Sequence, residues 1–143
     1  MPHKLPSQPV HIEGETILHQ AGEEEHYRFS AVGQLVQLGT TVYLRFNEDN
    51  EETVPVTYKI DGPNSLRISR YGESQLTLQL IAGQRTQNVD VTPYGKLQID
   101  AEATAVETEL DLAELRGTVS ADYRIFTDDE EVGNHQIRLQ FYR

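Results

Sequence analysis

The chain has 143 residues, no cysteine and a formal net charge of −11, from 12 basic and 23 acidic side chains. This length is typical of a single domain, and the absence of thiols excludes disulfides, a cysteine nucleophile and cysteine-ligated zinc. The acidic charge, with no Lys/Arg cluster, argues against nucleic acids and anionic membrane surfaces as partners. We interpret this charge as a source of solubility.

The N-terminal segment, residues 1–9, contains three prolines and predicts an extended, loosely ordered lead-in to one domain over residues 1–143. It has no apolar core of the kind that signal peptides carry. No run of the chain approaches the roughly 18 apolar residues of a membrane-spanning helix. The expected location is therefore the cytoplasm.

The first strands are predicted from a one-for-one alternation of apolar and polar residues, which is typical of a strand with one buried and one exposed face. A strand is expected over residues 10–18, with a bulge or bend at Gly14. A second strand is expected over residues 26–31, where Gly33 ends it, and a short third over residues 34–38.

The central part of the chain continues this alternation, broken by short turns rich in glycine, proline, asparagine and aspartate. It predicts strands over residues 41–46, 53–60, 65–71, 74–82, 85–91, 96–101 and 105–112. Residues 47–52 are expected to form a polar loop. The tight turn at residues 92–95 combines Pro93, which presets φ, with Gly95, which tolerates a positive φ.

The last third of the chain shows the alternation most clearly. Residues 111–117 contain leucines that could share a helical turn, but the segment is too short for a helix of consequence. Strands are predicted over residues 118–126 and 135–142, joined by a hairpin loop over residues 128–134.

These strands together predict an all-β fold. The pattern predicts about ten to twelve strands, and their short connections make consecutive strands antiparallel neighbours. A long open meander would leave two exposed edges, which closure removes. We therefore predict a single antiparallel up-and-down β-barrel of about ten strands. Ile99, Ala121 and Leu139, on the apolar side of their strands, are predicted to face its core.

The order of strands and turns from residue 29 onward resembles that of a known family. The segments that carry the resemblance are Val-Tyr-Leu at 42–44, Arg-Tyr-Gly at 70–72, Thr-Pro-Tyr-Gly-Lys-Leu at 92–97, and the last hairpin at 117–141. They resemble the YwiB-like family, small lipocalin-like (calycin-like) β-barrels of Gram-positive bacteria. The resemblance implies a closed lipocalin-like barrel. Because this family is a domain of unknown function, it implies no catalytic residues.

Three polar side chains are candidate ligand-binding residues because they share the side of a strand with core residues. Arg70 alternates with Leu66 and Ile68, and Arg85 and Gln87 alternate with the two valines that end their strand. An inward guanidinium is costly unless it is paired or reaches a wet cavity. One hypothesis is a barrel mouth where the arginines bind the carboxylate or phosphate of a small ligand. The alternative is that both arginines lie at strand ends and pair with surface acids.

Three tyrosines, Tyr27, Tyr58 and Tyr123, also fall on the inward side of their strands. They are either core residues with hydrogen-bonded hydroxyls or the polar part of a ligand pocket. The five histidines lack metal-ligand spacing, and the acidic runs lack the spacing of a calcium loop. No catalytic or cofactor-binding motif occurs, so the sequence predicts no metal and no cofactor and does not indicate an enzyme.

Two functional hypotheses lead, and an enzyme, which would need two or three convergent polar groups in a cavity, is a third. The first is a barrel that binds a small molecule in or at its mouth. The second is a cytosolic protein-interaction module or homodimer with a fully packed barrel and no ligand. In that case Tyr43, Tyr71 and Tyr142, on the outward sides of their strands, would anchor the contact.

Overall fold

The computed structural model describes residues 7–48 and 54–143, and these residues form a closed antiparallel barrel of ten strands with no helix. Its strands are β1 (Ser7–Gln20), β2 (Glu23–Leu38), β3 (Thr41–Glu48), β4 (Val54–Gly62), β5 (Ser65–Tyr71), β6 (Gln75–Ile81), β7 (Arg85–Thr92), β8 (Gly95–Asp111), β9 (Arg116–Thr127) and β10 (Glu130–Tyr142). Consecutive strands pair throughout, and β1 closes the barrel by pairing with β10. The predicted all-β class, antiparallel barrel and strand number are confirmed.

The barrel has two ends with different contents. We call the end with the β1–β2, β5–β6, β7–β8 and β9–β10 turns the upper half, and the opposite end the lower half. The lower half is filled by large apolar side chains that point inward from many strands and are 1% exposed or less, such as Ile12, Leu44, Leu66, Leu80 and Phe141. The predicted inward side of Ile99, Ala121 and Leu139 is also confirmed, because all three are buried inside the barrel.

The lower end is closed by the turn between β4 and β5. The backbone N–H of Thr108 on β8 donates to the carbonyl oxygen of Pro63 at 3.1 Å. The side-chain amide of Asn64 donates to the carbonyl oxygen of Val106 at 2.9 Å. These bonds attach the turn to β8 near the lower end of the barrel.

Two glycines were assigned the wrong role from the sequence. The chain does not break at Gly33, because β2 runs through it, and β1 pairs without a register shift at Gly14. A Cβ at Gly33 would lie 2.5 Å from the carbonyl oxygen of Arg45 and 2.6 Å from Cδ1 of Ile12, and one at Gly14 would overlap the ring of Phe29. Both glycines therefore allow close packing across the sheet and neither interrupts a strand.

Several strand boundaries differ from the predictions. Residues 7–9, predicted as part of the lead-in, belong to β1 and pair with residues 34–36 of β2, whereas residues 1–6 lie outside the described residues. β3 extends to residue 48, and residues 49–53, which hold most of the predicted polar loop, also lie outside the described residues.

The last strands are longer than predicted. The segments 96–101 and 105–112 are one strand, β8, with a bulge between Ala103 and Ala105. The predicted loop over residues 128–134 shortens to a two-residue turn, because Asp128 and Asp129 adopt positive φ and β10 begins directly after them. Local turn chemistry, which tolerates aspartate in this conformation, accounts for the difference.

Strand β7 faces the opposite way from the prediction. Its valines, Val89 and Val91, are exposed, whereas Asn88, the residue before Val89, is buried. β6 and β7 pair over only three residues, and beyond them the N–H of Gln79 donates to Asn88 Oδ1 at 2.8 Å while the Thr86 hydroxyl donates to the carbonyl oxygen of Gln79. Because buried backbone groups require partners, Thr86 and Asn88 face inward, and the valines face solvent on the same side of β7 as Arg85 and Gln87.

Candidate functional site

The upper half of the barrel contains a cavity of about 570 Å³. Among the described residues, sixteen line it and nine of these are apolar. Small-molecule sites typically have volumes of roughly 300–1,000 Å³, mostly apolar walls and a few convergent polar groups. The cavity has the size and the lining of such a site.

One wall of the cavity is aromatic. Phe29 on β2 and Tyr58 on β4 line the cavity, and both pack against Phe46 of β3. The rings of Phe29 and Phe46 are nearly parallel, with centroids 5.4 Å apart, and the Tyr58 ring is tilted at 5.8 Å from Phe46. Gly14 makes room for the Phe29 ring, so the glycine of β1 helps to shape this wall.

The polar part of the lining comes from neighbouring strands. Tyr123 of β9 and His135 of β10 are direct cross-strand partners, and their rings stack 5.0 Å apart with an angle of 8° between the planes. Burial raises the pKa of the Tyr123 hydroxyl, although the positive charge of Arg70 acts in the opposite direction. Burial lowers the pKa of His135. Both side chains are therefore uncharged at neutral pH and offer neutral hydrogen-bonding groups.

Arg70 lies at the mouth of the cavity. On β5 it pairs with Val56 of β4 on one side and Leu76 of β6 on the other, and all three residues line the cavity. More than a third of Arg70 is exposed, whereas Ile68, one inward position deeper, is buried. Arg70 also makes an interaction within the protein.

Four of the six candidate residues lie around this one cavity, and they come from four strands. They are Tyr27, Tyr58, Arg70 and Tyr123. Tyr27 is 55% exposed at the outer rim, and its hydroxyl donates to the carboxylate of Glu25. Tyr58 and Tyr123 are buried deeper in the barrel.

The other two candidates, Arg85 and Gln87, are not among the residues that line the cavity. The reversed facing of β7 places both on the exposed side of that strand. The Arg85 guanidinium contacts Asp100 at 3.2 Å and Asp129 at 3.0 Å, and it lies 4.2 Å from the centroid of the Phe126 ring. Arg85 thus follows the alternative interpretation, in which the arginine pairs with surface acids.

Three polar residues of the lining were missed from the sequence: Thr16, Arg28 and His135. A signal for His135 was available, because it alternates with the inward residues Ile137 and Leu139 along β10. Metal-ligand spacing along the chain carries no information on the side of a strand on which a histidine lies.

The described residues contain no group of three or more His, Asp or Glu side chains that could hold a metal ion. No helix among them is long and apolar enough to cross a membrane.

Comparison with known proteins agrees with the fold. A family model described as "Domain of unknown function (DUF1934)" matches residues 10–139. The solved structure titled "Crystal structure of ywiB protein from Bacillus subtilis" matches with a TM-score of 0.82 and 18% identity, over 95% of this chain and 92% of that chain. At that identity the match supports the fold alone. No protein with a curated function matches the chain.

Proposed function

This chain belongs to the family of the domain of unknown function DUF1934, the YwiB-like proteins, and from its cavity we propose that it binds a small molecule in the upper half of the barrel. The observation that carries the proposal is a volume of about 570 Å³ with mostly apolar walls and four convergent polar side chains. These are Tyr58, Arg70, Tyr123 and His135. Such a combination is the usual composition of a ligand site.

The contrast with the lower half supports this proposal. Inward positions near the lower end carry leucine, isoleucine and phenylalanine, which meet across the barrel and fill it. Inward positions near the upper end carry arginine, tyrosine and histidine as well as aliphatic residues. Open apolar space in a core costs stability, so a barrel that only had to be stable would gain by filling it.

A neutral fluorescent probe, N-phenyl-1-naphthylamine, tests the proposal. We expect saturable binding with one site per chain, and Leu76→Trp, which adds volume at a cavity-lining position, should weaken it at least about tenfold. Val89→Trp is the matched control, because Val89 is 46% exposed and does not line the cavity. The proposal fails if the probe does not saturate, or if both tryptophan variants bind it as the wild type does.

The second candidate function, an interaction module or homodimer, rests on the outer face. The register places Tyr71, Gln75 and Val91 in one row across β5, β6 and β7, and Tyr71, Val89 and Val91 are all exposed. The net charge of −11 opposes the association of two copies. A native mass spectrum that shows a dimer without a bound small molecule would favour this function over the first.

The other two tyrosines proposed for that face, Tyr142 and Tyr43, already contact residues of the same chain. The Tyr142 hydroxyl donates to Glu13 at 2.8 Å, and its ring stacks on His11. Arg45 lies over the ring of Tyr43 at 5.7 Å. The cytoplasmic location and the absence of nucleic-acid and membrane partners stay predictions from the sequence.

A further inference from the structure

The charge of the cavity lining is opposite in sign to that of the protein. The chain carries 23 acidic and 12 basic side chains. Among the described residues, the sixteen that line the cavity include two positively charged side chains, Arg28 and Arg70, and none of the sixteen is acidic. A low-dielectric cleft lined by one sign of charge concentrates the field of that charge, so this cavity favours a negative group although the protein as a whole repels anions.

The arginines of the outer face show the contrast. Arg124 contacts Glu102 at 3.2 Å, Arg138 contacts Asp122 at 2.8 Å, and Arg85 is held between two aspartates. Carboxylates of the sheet surface thus surround these guanidinium groups. Arg70 differs in its location, because it faces the cavity between Val56 and Leu76.

The cavity has a polar group at its mouth and apolar groups deeper in the barrel, so it would orient a bound ligand. Arg70 lies at the mouth, and the apolar side chains of Ile68, Leu78 and Ile137 lie below it and are buried. Tyr123 lies within the electrostatic reach of Arg70 from across the barrel. A negative group near the mouth would meet the guanidinium and the phenol, and an apolar body could extend into the barrel.

We infer that the ligand is an anionic amphiphile, with one carboxylate-like group at Arg70 beside Tyr123 and an aliphatic or aromatic body buried below them. This inference rests on the proposed binding function and adds the chemical class and the orientation of the ligand. A charge-assisted hydrogen bond fixes the head group, and burial of methylene groups supplies affinity through the body.

The matched ligands decanoate and decanol test the inference by displacing N-phenyl-1-naphthylamine. At a pH where decanoate is ionised, wild type should bind decanoate about tenfold more tightly than decanol, as expected for a hydrogen bond to a charged group. Arg70→Met should remove this preference by weakening decanoate alone, and Arg70→Lys should keep part of it. Shortening the alkyl chain of the carboxylate ligand should weaken its binding about fourfold for each methylene group removed, until the apolar contact is lost.

Arg124→Met is the control for a charge outside the cavity, because Arg124 is not among the residues that line it and contacts Glu102 at 3.2 Å on the outer face. The Arg124 variant should leave the decanoate preference within about twofold of wild type, since charges on the outer surface are strongly screened. Thermal melting of each variant confirms that it is folded before the affinities are compared.

The inference is overturned if decanol binds as tightly as decanoate, or if the methionine variants at 70 and 124 change the preference equally. Both results leave the proposed function standing, because the neutral probe would still bind. If the probe itself does not bind saturably, the proposed function fails instead, and the inference fails with it.

Discussion

The two halves of this barrel use the same strands for different purposes. In the lower half, inward side chains from opposite strands meet, and residues such as Leu66 and Phe141 are almost completely buried. In the upper half, inward side chains such as Arg70, Tyr123 and His135 surround a cavity of about 570 Å³. Because β-strands alternate faces along their whole length, one continuous strand contributes to the core at one end and to the candidate site at the other.

The residues that fill the core and the residues that line the candidate site thus lie largely at opposite ends of the barrel. Substitutions in the lower half remove contacts on all sides of a side chain, whereas those in the upper half remove contacts on one side only. The comparison therefore predicts an order of effects, which the following experiments test.

The largest effect is expected for Phe141→Ala in the lower half. Phe141 is 1% exposed, and its ring lies against Gly117, where a Cβ would approach it at 2.8 Å. Removing a fully buried aromatic ring should lower the free energy of unfolding by about 3–5 kcal/mol, measured by urea denaturation. Gln140→Ala, on the exposed side of β10, should change it by less than about 0.5 kcal/mol. A cost below about 2 kcal/mol for Phe141→Ala would contradict a tightly filled lower half.

A smaller effect is expected for Ile99→Ala in the upper half. Ile99 is inward-facing and lines the cavity, so its side chain has fewer packing partners than a residue of the lower core. The free energy of unfolding should fall by about 2 kcal/mol, at the low end of the range for isoleucine truncations. The neighbouring Gln98→Ala should have almost no effect, and equal costs at the two positions would mean that the register of β8 is wrong.

Adding one methyl group at Gly33 tests the close approach of β2 and β3. Gly33→Ala places a Cβ against the carbonyl oxygen of Arg45, which cannot move away without distorting β3. We expect a loss of about 1–3 kcal/mol in the free energy of unfolding, as is typical of overpacking. Gly62→Ala is the control, because no atom lies within 4 Å of a Cβ built there and its φ is not positive. A similar loss in both variants would point to a general effect of replacing glycine.

The smallest effect expected is a pH dependence of opposite sign at two histidines. Outside the barrel, hydrogen bonds to Glu15 and Glu24 raise the pKa of His26, while burial at the cavity lowers the pKa of His135. The folded state therefore binds a proton more tightly at His26 and less tightly at His135 than the unfolded state does. The contribution of His26 is present below its unfolded pKa and is lost as pH rises through its folded pKa. That of His135 is present above its unfolded pKa and is lost as pH falls.

These contributions are separated by following the free energy of unfolding between about pH 5 and 8 in single variants. His26→Gln should make the slope of stability against pH more positive than in wild type, and His135→Gln should make it more negative. Slopes that change in the same direction in both variants would contradict the different surroundings of the two histidines.

Much of the fold and part of the site followed from the sequence alone. Alternation assigned Ile99, Ala121 and Leu139 to the core, and turn chemistry located the hairpin at Pro93. These predictions succeeded because the side on which a strand residue lies depends on a strict period of two, and a tight turn depends on local φ preferences. The same alternation predicts Arg70 on the inward side of its strand without any information on the neighbouring strands.

Only the tertiary structure decided the facing of β7, the role of Gly33 and the position of the cavity. The backbone N–H and carbonyl oxygen of Gln79 on β6 bond the side chains of Asn88 and Thr86, so Asn88 faces inward and Val89 outward, against the polarity of both residues. The cavity depends on which side chains meet across ten strands, and His135 entered its lining as the partner of Tyr123. A local sequence pattern reports the chemistry of each residue, but it does not identify the groups that lie opposite that residue once the barrel closes. Packing and hydrogen bonding depend on those groups.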